Sequence, residues 1–203
     1  MGDAVIVAGG RSTRFGDRDK AVAELAGVPM IRRVADRLVG VTDRLVVNCR
    51  AAQRAEIAAA LEGYPPPVAF AIDSTPDEGP MAGIRAGLDA TRSPYAFVVA
   101  CDMPFIQPEF VSHLFDRALG HDAAVPRTDD GWFQPTHAVY RADAMTRACD
   151  RALAAGERRI VVPLEELDVV VIDEDEVREH AELSVFESLD TRAAFEAVAE
   201  RLS

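Results

Sequence analysis

The sequence predicts an α/β fold: one three-layer αβα domain with a mostly parallel sheet, spanning residues 1–203. Apolar runs of strand length alternate with segments whose apolar residues recur at helical spacing, which is the pattern of βαβ units. A length of 203 residues is ordinary for one such domain. The chain has no internal repeat and no Ser/Gly-rich linker that would mark a second domain.

The individual elements follow from these patterns. The predicted strands are 4–7, 44–48, 68–72, 96–100, 122–126, 136–140 and 168–172. The predicted helices are Met30–Leu38, Ala51–Leu61, Pro80–Ala90, Pro108–Leu119, Ala142–Leu153 and Arg192–Leu202. Pro29, Pro80 and Pro108 fit first helical turns, where the missing N–H has no partner to lose. The acidic run 173–176 is interpreted as a solvated loop rather than a metal site.

The charge balance limits the classes of partner. The chain carries 34 Asp and Glu against 22 Lys and Arg, a formal net charge of −12. Nucleic acid is bound through basic faces, so it is not expected as a partner. An acidic surface with almost no lysine also suggests adaptation to molar salt, where the Debye length is about 3 Å and self-repulsion is screened. A halophilic source is therefore a hypothesis.

Targeting and redox features point to the cytoplasm. The chain begins directly with an apolar strand, without a basic leader or a cleavage site, and no apolar run is long enough to span a membrane. Cys49, Cys101 and Cys149 are odd in number and widely spaced, which argues against a disulfide framework or a zinc site. We expect a soluble cytoplasmic protein with reduced, mostly buried thiols.

One lysine, Lys20, occurs in the whole chain, and it ends a glycine-rich segment after the first strand. Segment 8–20 reads A-G-G-R-S-T-R-F-G-D-R-D-K and places four of the 22 cations within ten residues. Glycines at the carboxyl end of a strand let backbone N–H groups approach phosphate oxygens. Neither the P-loop pattern nor G-x-G-x-x-G is present. The segment predicts an anion site of another kind.

The string A-G-G-x-S-x-R-x-G-x-x-D-K resembles the signature loop of the molybdenum cofactor guanylyltransferases, nucleotidyltransferases of the glycosyltransferase-A-like, Rossmann-like fold. The resemblance continues through V-V-N at 46–48, I-D-S at 72–74, E-G-P-M-A-G at 78–83, A-C-D-M-P-F at 100–105, Q-P-T-H-A-V-Y at 134–140 and G-E-R-R at 156–159. It runs from about residue 4 to about residue 196, nearly the full chain.

The resemblance implies transfer of GMP from Mg·GTP to molybdopterin-bound molybdenum, with release of pyrophosphate. Lys20, Arg14 and Asp102 would be catalytic, the two cations by stabilising charge on the phosphates. Asp102 would hold Mg²⁺, because it ends an apolar strand and Mg²⁺ takes one or two carboxylates plus phosphates. The residues that would bind nucleotide are Val7, Ala8, Gly9, Gly10, Lys20, Asn48, Asp73 and Asp102. Transient contact with cofactor-delivery proteins or apo-molybdoenzymes is also implied.

Several of these residues have plainer interpretations. Asn48 and Asp73 could be turn residues after their strands, and Gly79, Pro80 and Gly83 could start a helix and let it pack tightly. Trp132, the only tryptophan, is interpreted as a core or loop-anchoring residue in preference to a pterin-stacking one. His137 is interpreted as a structural histidine with satisfied hydrogen bonds.

The chain departs from the family pattern near its last helix. Where the family has F-x-N-x-N-T, residues 186–191 read F-E-S-L-D-T. Asp190 could still serve a metal or the acceptor, whereas Ser188 cannot reproduce the paired donor and acceptor of an amide. The departure leaves the acceptor side open.

The alternatives within the same class are a cytidylyltransferase for this cofactor and a guanylyltransferase for another phosphorylated acceptor, such as cobinamide phosphate or phospholactate. The alternative from another class is a non-catalytic protein of this fold that binds GTP or the cofactor. Lys20 and Asp102 argue against it, because a binding protein has little need of both.

Overall fold

The computed structural model describes residues 1–10, 19–73 and 79–202. Its strands are β1 Gly2–Val7, β2 Glu24–Leu25, β3 Val28–Pro29, β4 Thr42–Cys49, β5 Val68–Ile72, β6 Tyr95–Ala100, β7 Ala123–Pro126, β8 His137–Arg141 and β9 Val169–Ile172. Its α-helices are α1 Met30–Asp36, α2 Arg54–Ala60, α3 Pro80–Asp89, α4 Pro108–Ala118, α5 Ala142–Ala154, α6 Glu174–His180 and α7 Arg192–Leu202. Short 3₁₀ turns form at Lys20–Val22, Ala51–Gln53, Val162–Glu166 and Leu183–Phe186.

Seven strands form one mostly parallel sheet in the order β5-β4-β1-β6-β8-β7-β9. Strands β5, β4, β1 and β6 run parallel, β8 is antiparallel to both of its neighbours, and β7 and β9 are parallel. The predicted mostly parallel sheet is confirmed. The carboxyl ends of its first four strands in space therefore meet at one edge.

Alternating side chains of the central strands fill two apolar cores, one on each face of the sheet. Ile6, Val47 and Val99 pack on one face with α1, α2 and α4. Val5 and Val98 pack on the other face with α3 and α5. The strands are buried on both faces, as a parallel sheet covered by helices requires. This arrangement confirms the three predicted layers.

The structure corrects the sequence-based elements in three places. The acidic run predicted as a loop begins helix α6, because the side chain of Asp173 caps the N–H of Glu176. A hairpin of β2 and β3 was not predicted, and its turn places Ala26 and Gly27 at φ 47 and 75. Pro29 is the N-cap residue of α1 and not part of its first turn.

Candidate active site

The first four parallel strands bring the predicted nucleotide-binding residues to one edge. Val7 aligns with Asn48 on β4 and with Ala100 on β6. Ala8 continues the ladder, since its N–H donates to the carbonyl of Asn48 at 2.9 Å. Asp73 follows β5, and its N–H donates to the carbonyl of Cys49 at 3.0 Å. The carboxyl edge of an open α/β sheet is the usual place for a ligand.

Asn48 and Asp73 form a buried polar pair beside two glycines. Asn48 is fully buried inside β4, so the interpretation of it as a turn residue is wrong. Its Nδ2 donates to Oδ1 of Asp73 at 2.6 Å and to the carbonyl of Ala71 at 3.3 Å. Its Oδ1 is buried and has no hydrogen-bond partner among the described residues. An unpaired buried acceptor is costly in a free protein, and a ligand donor would relieve that cost.

Gly9 and Gly83 lie directly against this polar pair. A Cβ on Gly83 would collide with Oδ1 of Asn48, and a Cβ on Gly9 would collide with Oδ2 of Asp73. Gly83 lies in α3, whose first residue is Pro80, so the interpretation of this motif as a tightly packed helix start is confirmed. A Cβ on Gly10, which is exposed, would meet no atom of the described residues within 4 Å.

Lys20 and Asp102 meet at the same edge. Nζ of Lys20 lies 2.6 Å from Oδ2 of Asp102, and Lys20 is 7 % exposed. Asp102 follows β6, and Lys20 opens a 3₁₀ turn that Asp19 caps through the N–H of Ala21. Two residues 82 positions apart therefore form a close ion pair at the strand ends.

The second carboxylate oxygen of Asp102 is available to a cation. Oδ1 is buried and accepts no hydrogen bond from the described residues. Within the described ranges, no three His, Cys, Asp or Glu side chains come together as a metal-binding group. A site for Mg²⁺ here would need oxygens from a substrate, which is the usual arrangement for this ion with phosphates.

Cys101 stands beside Asp102 but is not a nucleophile. Burial raises the pKa of its thiol far above the usual value, and the neighbouring carboxylate of Asp102 raises it further. The thiol therefore stays protonated at neutral pH, and only a thiolate is strongly nucleophilic. Cys49 and Cys149 are free and buried, as predicted.

A network around Gln53 was missed by the sequence reasoning. Nε2 of Gln53 donates to the carbonyl of Ala8 at 2.9 Å and to Oδ2 of Asp19. Its Oε1 accepts from the backbone N–H of Arg50 at 2.8 Å and from Nε of Arg50 at 3.1 Å. Arg50 Nη2 also donates to Oδ2 of Asp19 at 3.1 Å. A glutamine at the start of a helix carries no sequence signal for such a role.

The carboxy-terminal segment reaches the same edge through one backbone hydrogen bond. The N–H of Leu189 donates to the carbonyl of Asp102 at 2.9 Å. Leu189 is buried with Phe195 and Val198 of α7 against Leu25 and Met30. Ser188 and Asp190, the two departures from the family pattern, flank Leu189 and are exposed. Each of them is therefore next in the chain to the residue whose N–H bonds to the carbonyl of Asp102.

Two other predictions about single residues are wrong in part. Trp132 is 69 % exposed, so it is not a core residue, while its loop-anchoring role stays a prediction. His137 is fully buried, but neither ring nitrogen has a hydrogen-bond partner in the part of the chain that the structure describes. It packs against the rings of Phe97, Phe110 and Phe186 instead. Burial lowers the pKa of His137 to about 3, so its ring is neutral at physiological pH.

The structure brings together Val7, Ala8, Gly9, Asn48 and Asp73 on one side, and Lys20 and Asp102 on the other. Arg14 lies outside the described residues, and so do the other loop arginines. Among the described residues, no helix has the length and apolarity needed to cross a bilayer.

Comparison with known proteins gives consistent results over nearly the whole chain. The profile of the family described as MobA-like NTP transferase domain matches residues 4–182. A protein of Natronomonas pharaonis named probable molybdenum cofactor guanylyltransferase is 55 % identical over 98 % of this chain and 97 % of its own length. One of the same name from Haloferax mediterranei is 41 % identical over 97 % and 92 %.

Solved structures agree with the fold. The crystal structure of molybdopterin-guanine dinucleotide biosynthesis protein A from Archaeoglobus fulgidus has a TM-score of 0.80 at 28 % identity and covers 98 % of each chain. The 4-diphosphocytidyl-2C-methyl-D-erythritol synthase of Anaerococcus prevotii has a TM-score of 0.75 at 16 % identity, over 98 % of this chain and 95 % of its own. At that identity, the second likeness concerns the fold alone.

Proposed function

Because this chain belongs to the MobA-like NTP transferase family and is a nucleotidyltransferase, we propose that it transfers GMP from GTP to the molybdopterin form of the molybdenum cofactor. The products are the guanine dinucleotide cofactor and pyrophosphate. The observation that carries this proposal is the ion pair of Lys20 with Asp102 at the strand edge where the glycine segment opens. The names of the relatives supply the nucleotide and the acceptor.

The nucleotide lies along Val7, Ala8, Gly9 and Gly10 and reaches the pair of Asn48 and Asp73. Two observations support this placement: the unpaired Oδ1 of Asn48 and the carboxylate of Asp73 beside Gly9. Both oxygens are acceptors, which suits the N–H donors of guanine or the hydroxyls of ribose. Glycine backbone without Cβ atoms lets the ligand approach closely.

Asp102 is the residue that fits Mg²⁺. Its Oδ1 is buried and has no partner among the described residues, while its Oδ2 accepts from Lys20. Asp190 is a second candidate for the metal or the acceptor, and it directly follows Leu189, whose N–H donates to the backbone carbonyl of Asp102. When bound, Mg²⁺ supplies charge neutralisation on the triphosphate.

The reaction needs positioning and charge stabilisation more than proton transfer. An ionised phosphate oxygen of the acceptor attacks the α-phosphorus of GTP, and the bond from that phosphorus to the oxygen bridging to the β-phosphate breaks. Pyrophosphate leaves with the electron pair of that bond. The nucleophile is already an anion, so no general base is required. Lys20 and Arg14, the second of which lies outside the described residues, stabilise the charge that builds on the phosphates.

The proposal includes the cellular setting. The enzyme works in the cytoplasm of a halophile, without nucleic acid or membrane as a partner, and hands its product on through transient contact with delivery proteins or apo-molybdoenzymes. The acidic excess and the single lysine support the salt adaptation.

Release of pyrophosphate tests the function directly. GTP and CTP are offered separately with molybdopterin cofactor, cobinamide phosphate or phospholactate, in Mg²⁺ and in molar KCl. We expect release only with GTP and the molybdenum cofactor. Release with CTP or with another acceptor would replace the assignment by that activity. Calorimetric binding of GTP without turnover, acceptor present, would favour a binding protein.

A further inference from the structure

Gln53 is buried and uses its whole side-chain amide. It is 4 % exposed, ends the 3₁₀ turn Ala51–Gln53 and is the N-cap residue of helix α2. Its two amide hydrogens go to Ala8 and Asp19, and its carbonyl oxygen accepts twice from Arg50. An amide has two donors and two acceptor lone pairs, so none is left over. Such complete use fixes the orientation of the group.

The two donors of Gln53 join the two ends of the glycine segment. Ala8 directly precedes Gly9, and Asp19 directly precedes Lys20. Ala8 is itself fixed on the sheet, since its N–H donates to the carbonyl of Asn48. Asp19 holds the following turn by accepting from the N–H of Ala21 at 3.0 Å. Gln53 therefore connects the strand edge to the backbone that carries the lysine.

We propose that Gln53 is a positioning residue that sets Lys20 relative to the nucleotide-binding backbone at Ala8 and Gly9. The inference takes the catalytic role of Lys20 from the proposed function, whereas the contacts of Gln53 are observed in the structure. The ammonium of Lys20 is paired with Asp102, which is also the residue that fits Mg²⁺. That contact holds the end of the Lys20 side chain, whereas Gln53 and Asp19 anchor the backbone before Lys20.

The anchor requires an amide at position 53. A glutamate has almost the same shape but cannot donate to Ala8 or Asp19, and it would set a second carboxylate against that of Asp19. Arg50 alone cannot replace the link, because it donates to Asp19 but makes no bond to Ala8 among the described contacts. A misplacement of about 1 Å at a catalytic group can cost about a hundredfold in rate.

The test compares Gln53→Glu with a charge-matched control. We expect Gln53→Glu to lower kcat for pyrophosphate release by about tenfold or more, with KM for GTP changed less than about threefold, since Lys20 acts mainly on charge that develops in the transition state.

The control adds the same charge elsewhere on the same helix. Ala59→Glu lies at an exposed position of α2 and should keep wild-type kcat. Wild-type kcat in Gln53→Glu would overturn the proposal. If Gln53→Glu does not fold, Gln53→Met removes the same hydrogen bonds without adding charge. Wild-type kcat in Gln53→Met would overturn the proposal equally.

Hydrogen exchange separates this inference from the proposed function. In Gln53→Glu, the amides of Ala21 and Ala23, which bond to Asp19 and Lys20, should exchange at least about tenfold faster than in Ala59→Glu. Unchanged exchange would refute the anchor. Faster exchange in a protein that releases no pyrophosphate with any substrate would refute the function and leave the anchor standing.

Discussion

Nζ of Lys20 lies 2.6 Å from Oδ2 of Asp102, so the only lysine of the chain is paired with a carboxylate that closely follows the central strand β6. The pair is largely shielded from water. Removing one partner of such a pair leaves the other charge unpaired in the protein interior, which solvates charge poorly. Variants that keep the charge of Lys20, or the size of Asp102, therefore separate chemistry from folding better than alanine does.

Lys20→Arg tests whether the compact ammonium is needed. Arginine keeps the charge but brings a broad planar fork into a space where Lys20 is almost fully covered. We expect pyrophosphate release to fall by about tenfold or more while the unfolding midpoint stays close to that of the wild type. Full activity would mean that the lone lysine is a coincidence of composition.

Asp102→Asn tests the carboxylate. The amide keeps the shape but loses the charge that pairs with Lys20 and the oxygen that fits Mg²⁺. We expect the rate to fall by about a hundredfold or more, with a higher Mg²⁺ concentration needed for what remains. Asp150→Asn is the matched control, because Asp150 forms an ion pair with Arg85 that is much more exposed. A similar loss in both variants would contradict the assigned role.

Gly9→Ala and Gly10→Ala form a matched pair of neighbours. A Cβ at Gly9 would displace the carboxylate of Asp73, which is the movable end of a side chain, whereas a Cβ at Gly10 meets no atom of the described residues within 4 Å. We expect Gly9→Ala to weaken GTP binding by about tenfold, with little change in stability, and Gly10→Ala to weaken it less. Calorimetric titration measures both. Equal affinities would show that Asp73 does not contact the nucleotide.

His137 makes stability depend on pH below neutrality. Its pKa is about 3 in the folded protein, because burial disfavours the charged ring, against about 6.5 when unfolded. Between these two pKa values, His137 is protonated in the unfolded chain but not in the folded one. The free energy of unfolding therefore falls as pH drops from about 6.5 toward 3. The loss reaches about 2 kcal/mol at pH 5.

Denaturant unfolding at pH 7 and pH 5 measures this loss. His137→Leu removes the titrating ring and should flatten the dependence between these two pH values. A variant that loses as much stability as the wild type over this range would show that another group is responsible.

Salt should stabilise the protein. The net charge of −12 produces self-repulsion that molar salt screens. The described surface ion pairs are individually weak, so their loss in salt should not offset this gain. We expect the unfolding midpoint to rise by roughly 5 °C or more between dilute buffer and molar KCl. An unchanged midpoint would count against the halophilic hypothesis.

The sheet strands were predictable because each is a short apolar run buried on both faces. The antiparallel direction of β8 could not be predicted, since parallel and antiparallel buried strands have the same apolar sequence pattern. Helix α6 was missed because its first turn is acidic rather than amphipathic, although Asp173 is a sound capping signal. The hairpin of β2 and β3 has strands of only two residues each, too short for a periodic pattern.

The strand-end residues of the candidate site were predictable for the same reason. Asn48, Asp73 and Asp102 follow or end predicted strands, and parallel strands bring such positions to one edge. Gln53 was not predictable, because its partners Ala8 and Asp19 lie 45 and 34 residues away in the chain. The burial of the His137 ring without hydrogen-bond partners among the described residues could not be predicted from the sequence either, since only the packing shows that aromatic rings surround it.

The covered, paired state of Lys20 has a practical use. Lys20 carries the only lysine ammonium of the chain, and it is 7 % exposed and paired with Asp102. Lysine-directed reagents should therefore modify the protein slowly. The rate of that modification becomes a built-in reporter, because it will change when anything separates the ammonium from Asp102.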